Sequence, residues 1–162
     1  MVNLNLYPSV KHLHAAAKKK LPKFSLDYVE GGTGLEAGLR RNRDALDATT
    51  INPKYINDWA SLDTEVNLFG RNFSYPFGIA PMGLASLQWP KAELIFADAA
   101  KNANIPVGLS TSCTVAIEEF GATAGSHGWF QLYPPQDEEI NDDLLERAES
   151  SGLEVLMVTV DV

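Results

Sequence analysis

The sequence predicts an α/β fold with a parallel sheet, and three observations carry that prediction. Four short apolar runs recur in the second half of the chain: Phe77–Pro81, Val107–Ser110, Trp129–Tyr133 and Val155–Val162. Segments of helical character separate them. The steps between mid-run residues Ile79, Leu109, Gln131 and Val158 are 30, 22 and 27 residues, the length of a strand, a crossover helix and two loops. Parallel neighbours need such crossovers. Four of these units make either a small open sheet or half of an eight-stranded barrel, which typically needs ~250 residues.

Before the first run the chain reads as helical. Pro8 to Lys20 has alanines and a basic last turn, which suits the helix dipole, and Pro22 breaks it. Phe24 to Val29 is a further turn of helix, stopped by Gly31-Gly32. Leu35 to Leu46 places Leu35, Leu39 and Leu46 at helical spacing, with Arg40, Arg41 and Arg43 on the wet face. Residues 49–63 are irregular, with Pro53 and Trp59 as anchors. Glu65–Leu68 and Phe73–Tyr75 flank Phe69-Gly70-Arg71-Asn72, a hairpin turn. The organisation expected is thus a helical segment over 1–63, a hairpin over 64–76 and four strands over 77–162, all within one domain.

The crossover helices follow from capping chemistry. One starts after Pro90, a good first-turn residue, and runs through Glu93 to about Ala103. The next starts near Thr114, with Glu118 four residues on, and carries Val115, Ile117 and Phe120. The third, Asp137 to Ser150, has acids in its first turns and Arg147 near its end, and Gly152 supplies a stop.

Bulk composition bounds the function. With 45% hydrophobic and 21% charged residues the chain is globular rather than disordered. A formal net charge of −8 disfavours nucleic acid or an anionic membrane as partner. The one basic cluster, Lys18–Lys20 with Lys23, reads as a solvated helix end. Cys113 is the single cysteine, so no internal disulfide forms, and it reads as a small packed residue. No apolar stretch reaches the length of a membrane span, and a cytoplasmic protein is expected.

Candidate chemistry sits where the strands end. Ala80-Pro81-Met82-Gly83 puts a rigid, glycine-containing bend after the first strand, where backbone groups can approach a flat heterocycle. Ser110, Thr111, Ser112 and Thr114 put four hydroxyls after the second. Gln131 and Tyr133 share one face of the third strand, and Thr159 and Asp161 repeat that spacing on the fourth. Singly, each has an ordinary explanation: a helix cap, a satisfied core amide, a packing aromatic. Their placement at four consecutive strand ends favours a site. No G-x-G-x-x-G follows a strand, no Walker loop is present, and His12, His14 and His127 have no metal-ligand spacing.

These residues resemble the FMN-dependent α-hydroxy acid oxidase and dehydrogenase family, which includes glycolate oxidase, L-lactate dehydrogenase and mandelate dehydrogenase. The likeness runs through Lys20-Leu21-Pro22-Lys23, Asp27–Gly32, Arg41-Asn42-Arg43, Ile79–Gly83, Trp89-Pro90, Leu109-Ser110-Thr111, Phe130–Tyr133 and Leu156–Val162. It covers nearly the whole chain, in order. One departure lies inside it: Thr33 is followed by Gly34-Leu35 where the family shows an acidic pair.

The resemblance implies a (β/α)8 TIM barrel with FMN at the C-terminal ends of the strands. It implies that Tyr28 reaches a substrate carboxylate and that Pro81, Met82 and Gly83 line the flavin. Ser110, Gln131 and Thr159 would hydrogen-bond the flavin. Tyr133 would sit over the substrate and orient its hydroxyl or carbonyl. The implied activity is oxidation of a small L-2-hydroxy acid to the 2-oxo acid, in a homo-oligomer. No residue here matches the family's histidine base, carboxylate-gripping arginines or flavin-side lysine. The sequence therefore reads as the N-terminal half of such an enzyme, inactive alone, with Val155–Val162 as an exposed edge strand prone to pairing. The competing reading is a non-catalytic half-barrel that binds FMN weakly or a complementary chain.

Overall fold

A computed structural model describes residues 7–56 and 62–160. Trp59, Asp161 and Val162 therefore lie outside the described residues. The chain divides into two compact units, 1–62 and 63–162.

The first unit holds α1 (Val10–Ala17), α2 (Lys23–Glu30) and α3 (Ala37–Ala48). Lys18–Lys20 leave the helix as a turn closed by Lys20 N–H on Ala17 O, 2.9 Å, so the first helix is shorter than its sequence pattern. Glu30 ties α2 to α1 by accepting from His14 and pairing with Lys18, and these contacts, the His14 bond foremost, hold its carboxyl below the usual range. Two of the four clustered lysines are thus in ion pairs, Lys18 with Glu30 and Lys23 with Asp27. The third helix starts at Ala37 rather than at Leu35, and Leu35, Leu39 and Leu46 of the expected apolar stripe are all exposed.

The second unit opens with an antiparallel hairpin, β1 (Val66–Leu68) and β2 (Arg71–Phe73). The turn is two residues, not the four expected. Phe69 and Gly70 both take positive φ, 52° and 79°, as a primed hairpin turn demands. Arg71 and Asn72 are thereby released to pair with Leu68 and Asn67. A phenylalanine in the left-handed region is uncommon. Here its ring meets Trp129 edge to face at 5.4 Å.

Three parallel strands follow, β3 (Val107–Ser110), β4 (Gly128–Leu132) and β5 (Val155–Val158), in that spatial order. The helices α4 (Ala92–Ala103), α5 (Ile117–Ala124) and α6 (Glu138–Ser150) alternate with them. The first expected strand, Phe77–Pro81, is reduced to a single parallel bridge of Ile79 to Val107. Pro76 and Pro81 bracket it and lack the N–H a ladder needs. Its two hydrogen bonds are Ile79 N–H to Pro106 O and Gly108 N–H to Ile79 O, both 2.9 Å. The last strand ends at Val158, with Thr159 N–H continuing to Leu132 O at 3.0 Å.

Period-two alternation gives the sheet two faces. Val107, Leu109, Phe130 and Leu132 point to the helices and form the core with Ala97, Ala100, Ile117, Phe120, Ala124 and Ala148. Alanines at the helix contacts let the backbones approach the sheet closely. Gly108, Ser110, Trp129, Gln131 and Met157 take the opposite face by register. On β5, Leu156 and Val158 fall on the helix face by register with Phe130 and Leu132, yet both are exposed.

Capping follows the sequence at α6 and departs from it at α5. Asp137 accepts from the N–H groups of Glu139 and Ile140, an N-cap worth about 1 kcal/mol. Thr114 does not cap α5, which starts at Ile117 after Ala116. Its hydroxyl bonds Glu93 instead. The α5–α6 seam carries Arg147 Nε and Nη2 donating to Glu118 at 2.7 and 3.2 Å. That pairing, with a bond from the residue's own N–H, lowers the Glu118 carboxyl from 4.5 to about 2. A carboxyl with a lower pKa folded than unfolded adds stability above the unfolded value and loses it as pH falls through the folded one. Thermal midpoints are therefore expected to drop between pH 4.5 and about 2, and the Glu118→Gln chain to drop less over that window. Solvent exposure of the pair keeps the effect small; equal drops in both chains would refute it.

Candidate functional site

At the C-terminal ends of β3, β4 and β5 a hydrogen-bonded row crosses the sheet. Ser110 Oγ donates to Gln131 Oε1 at 2.9 Å, and Gln131 Nε2 donates to Thr159 Oγ1 at 2.8 Å. The register sets this up, since Ser110 lies opposite Gln131 and Leu132 opposite Val158. Ser110 is 3% exposed and Gln131 5%. The row is oriented from the Ser110 side. Ser112 N–H donates to Ser110 Oγ at 3.1 Å, so the Ser110 hydroxyl hydrogen is free to point at Gln131. That in turn fixes which end of the Gln131 amide faces which strand.

A second cross-link lies beside it. Thr111 donates through N–H and Oγ1 to Gln131 O, at 2.9 and 2.6 Å, and its Oγ1 accepts from Tyr133 N–H at 3.0 Å. Neutral hydrogen bonds thus tie the three strand ends to one another. Each member keeps spare capacity: Gln131 retains one N–H and one lone pair, and Thr159 a hydroxyl hydrogen beyond its bond to Gln131. A row that offers both donors and acceptors can face the edge of a polar heterocycle that carries both.

The bend after Ile79 lies against the same strand end. Leu84 N–H donates to Ser112 O at 2.9 Å. A Cβ added at Gly83 would meet Ser112 Cβ at 3.4 Å and Ser110 Oγ at 3.9 Å, which is ordinary contact, so packing does not demand glycine there. Gly108 is different: a Cβ would lie 2.8 Å from Pro81 Cδ and 2.9 Å from Pro81 N. Glycine at 108 is what lets the Ile79–Pro81 segment lie on β3. Below the row a cleft of about 300 Å³ opens on the same face, lined by Ile79, Pro81, Trp129 and Met157 among others.

The residues singled out from the sequence distribute as follows. Pro81, Met82, Gly83, Ser110, Gln131, Tyr133 and Thr159 all belong to the second unit, at consecutive strand ends. Tyr133 is 39% exposed just past β4. Tyr28 lies in α2 of the first unit, 58% exposed. His127 sits at the opposite end of β4 and is not isolated. Its Nε2 is 3.1 Å from Asn104 Oδ1 and 3.5 Å from Arg71 Nη2, and its ring packs edge-on against Phe73. Burial and then the Arg71 charge lower its pKa. Burial raises that of the Cys113 thiol, which donates to Val115 O; Cys113 is a packed thiol, not an activated one. No group of three metal-ligating side chains occurs among the described residues, and no helix there is long and apolar enough to cross a membrane.

The sequence reading missed Glu93. In the first turn of α4 it is 4% exposed. It accepts from Ser86 Oγ at 2.6 Å and from Thr114 Oγ1 and N–H at 2.9 and 3.2 Å. Burial pushes its carboxyl up, but these bonds and one from its own N–H outweigh that and leave it below the usual range. The available signal was an acid set among apolar residues (Ala92-Glu93-Leu94-Ile95-Phe96), where a solvent-facing role is poorly supported.

Comparison with known proteins bears on the family and the fold. A family model described as FMN-dependent dehydrogenase matches residues 17–162. The chain is 39% identical to a 4-hydroxymandelate oxidase of Amycolatopsis orientalis over 96% of its own length and 43% of that protein's. It is 37% identical to an L-lactate dehydrogenase of Vibrio cholerae, over 91% of the chain and 39% of the relative. A crystal structure of mandelate oxidase superposes with a TM-score of 0.89 at 39% identity, covering 96% of this chain and 45% of that one. The chain thus spans less than half the length of the relatives it matches. Its parallel strands and alternating helices are part of a (β/α)8 barrel.

Proposed function

The chain belongs to the FMN-dependent dehydrogenase family, and on that premise we propose that it supplies the flavin-facing wall of an enzyme oxidising a small L-2-hydroxy acid to the 2-oxo acid. The observation that carries this reading is the Ser110–Gln131–Thr159 row. It puts neutral donors and acceptors at the strand ends, where barrel enzymes build their sites. When bound, FMN supplies the acceptor for a hydride leaving the substrate α-carbon.

The roles of this chain's residues follow from their chemistry. Gln131, oriented by Ser110 and Thr159, presents one donor and one acceptor to the polar edge of the ring. Ser110 and Thr159 flank it. Pro81, Met82 and Gly83 offer a bend with little side-chain bulk to the ring face, and Gly108 keeps that bend seated on β3. Tyr133, a phenol just past the end of β4, sits over the substrate and donates to its oxygen. Tyr28 binds the substrate carboxylate. No position in the 162 residues matches the histidine base or the arginines that the family uses, so the chain alone is expected not to turn over a hydroxy acid.

Titration of FMN into the 162-residue chain, followed by flavin fluorescence, tests the reading. The expected outcome is saturable one-to-one binding, with no anaerobic bleaching by L-lactate or L-mandelate. Absence of binding would overturn the assignment of the row to the cofactor. Bleaching by either acid would overturn the statement that the chain alone is inactive.

A further inference from the structure

We propose that Glu93 is a positioning residue for the flavin wall, a buried carboxylate that clamps together the two loops from which that wall is built; this rests on the cofactor reading above. The first loop leaves the Ile79–Gly83 bend and passes through the 3-10 turn Ala85–Leu87. The second leaves β3 at Ser110 and reaches Thr114. Glu93 holds one loop with each carboxylate oxygen: Oε2 accepts from Ser86, and Oε1 accepts twice from Thr114.

The loops touch each other once more, through Leu84 N–H on Ser112 O at 2.9 Å. Ser112 N–H in turn holds the Ser110 hydroxyl. Orientation therefore passes from Glu93 through Thr114 and Ser112 to Ser110, and from Ser110 to Gln131. A charged acceptor makes stronger bonds than a neutral one, and a carboxylate this buried is retained at a cost in desolvation. Simple helix capping does not account for it. Its partners are two side chains and an amide outside α4, 7 and 21 residues away in sequence.

The test compares Glu93→Ala and Glu93→Gln with the parent chain. A carboxamide can still accept from Thr114 and donate to Ser86, so Gln keeps both ends of the clamp while Ala loses both. Amide hydrogen exchange at Leu84 and Thr114 is expected to accelerate about tenfold or more in the Ala chain and to stay within about threefold of the parent in the Gln chain. FMN affinity is expected to fall about tenfold in the Ala chain and to be rescued by Gln. If Glu93→Ala does not fold, Ser86→Ala and Thr114→Val release one loop each, and exchange is read at the same two amides. Parent-like exchange at Leu84 and Thr114 in a folded Ala chain would overturn the clamp. Failure of the parent chain to bind FMN would overturn the cofactor reading, and the exchange data would still decide the clamp.

Discussion

The Gln131→Leu chain is expected to bind FMN about 10- to 100-fold more weakly than the parent and to lose about 1–3 kcal/mol of stability. Leucine nearly matches glutamine in volume, so the loss comes from hydrogen bonding rather than from a cavity. The hydroxyl of the buried Ser110 would lose its acceptor and Thr159 its donor. A buried polar group left unpaired costs more than the bond itself was worth, whereas removing both partners is close to neutral. The double variant Ser110→Ala/Gln131→Leu removes the orphaned hydroxyl but also the acceptor of Ser112 N–H, so it is expected to regain only part of the stability and none of the affinity. Denaturant unfolding and flavin titration on the three chains separate the two effects. Parent-like affinity in Gln131→Leu would remove the row from the cofactor site.

Gly108→Val is expected to destabilise the second unit by about 1–3 kcal/mol through overpacking, plus about 0.5–1.5 kcal/mol for each backbone bond it breaks. The added Cβ would sit 2.8 Å from Met157 Cε and Pro81 Cδ and 2.9 Å from Pro81 N. Met157 can swing away, because that contact is the tip of a flexible side chain. Pro81 cannot, because a ring and the main chain are in the way. The Ile79 segment must then lift from β3, and its bonds at Pro106 O and Gly108 N–H are at risk. Gly108→Ala brings the same first atom with less bulk and should fall between. Equilibrium unfolding measures the cost; a valine chain within about 0.5 kcal/mol of the parent would show that the segment is not seated by that glycine.

Periodicity made the crossover units legible. The runs at 107–110, 129–133 and 155–162 hold β3, β4 and β5 to within a residue at their starts, because a strand packed under helices on one face must be apolar there. That Ser110 and Gln131 lie at strand ends was legible for the same reason; that they sit opposite one another depends on the strand register, which the sequence alone does not give. Features set by tertiary contact were not legible. Phe77–Pro81 looks like a strand, yet its flanking prolines leave only one bridge. Phe69 was read into a four-residue turn because nothing local announces a phenylalanine at positive φ. Thr114 carries the pattern of a helix cap, and only the buried Glu93 reveals where its hydroxyl goes.

The order of the parallel strands has a consequence for how the molecule is made. Ile79, β3, β4 and β5 lie side by side in the order in which they are translated. Each new strand thus finds its neighbour already present, about 20 to 30 residues upstream, so the loop that must close is short at every step. A growing chain on the ribosome can add one unit at a time against a finished surface. What it exposes meanwhile includes an advancing strand edge, whose unpaired backbone groups a chaperone would need to shield.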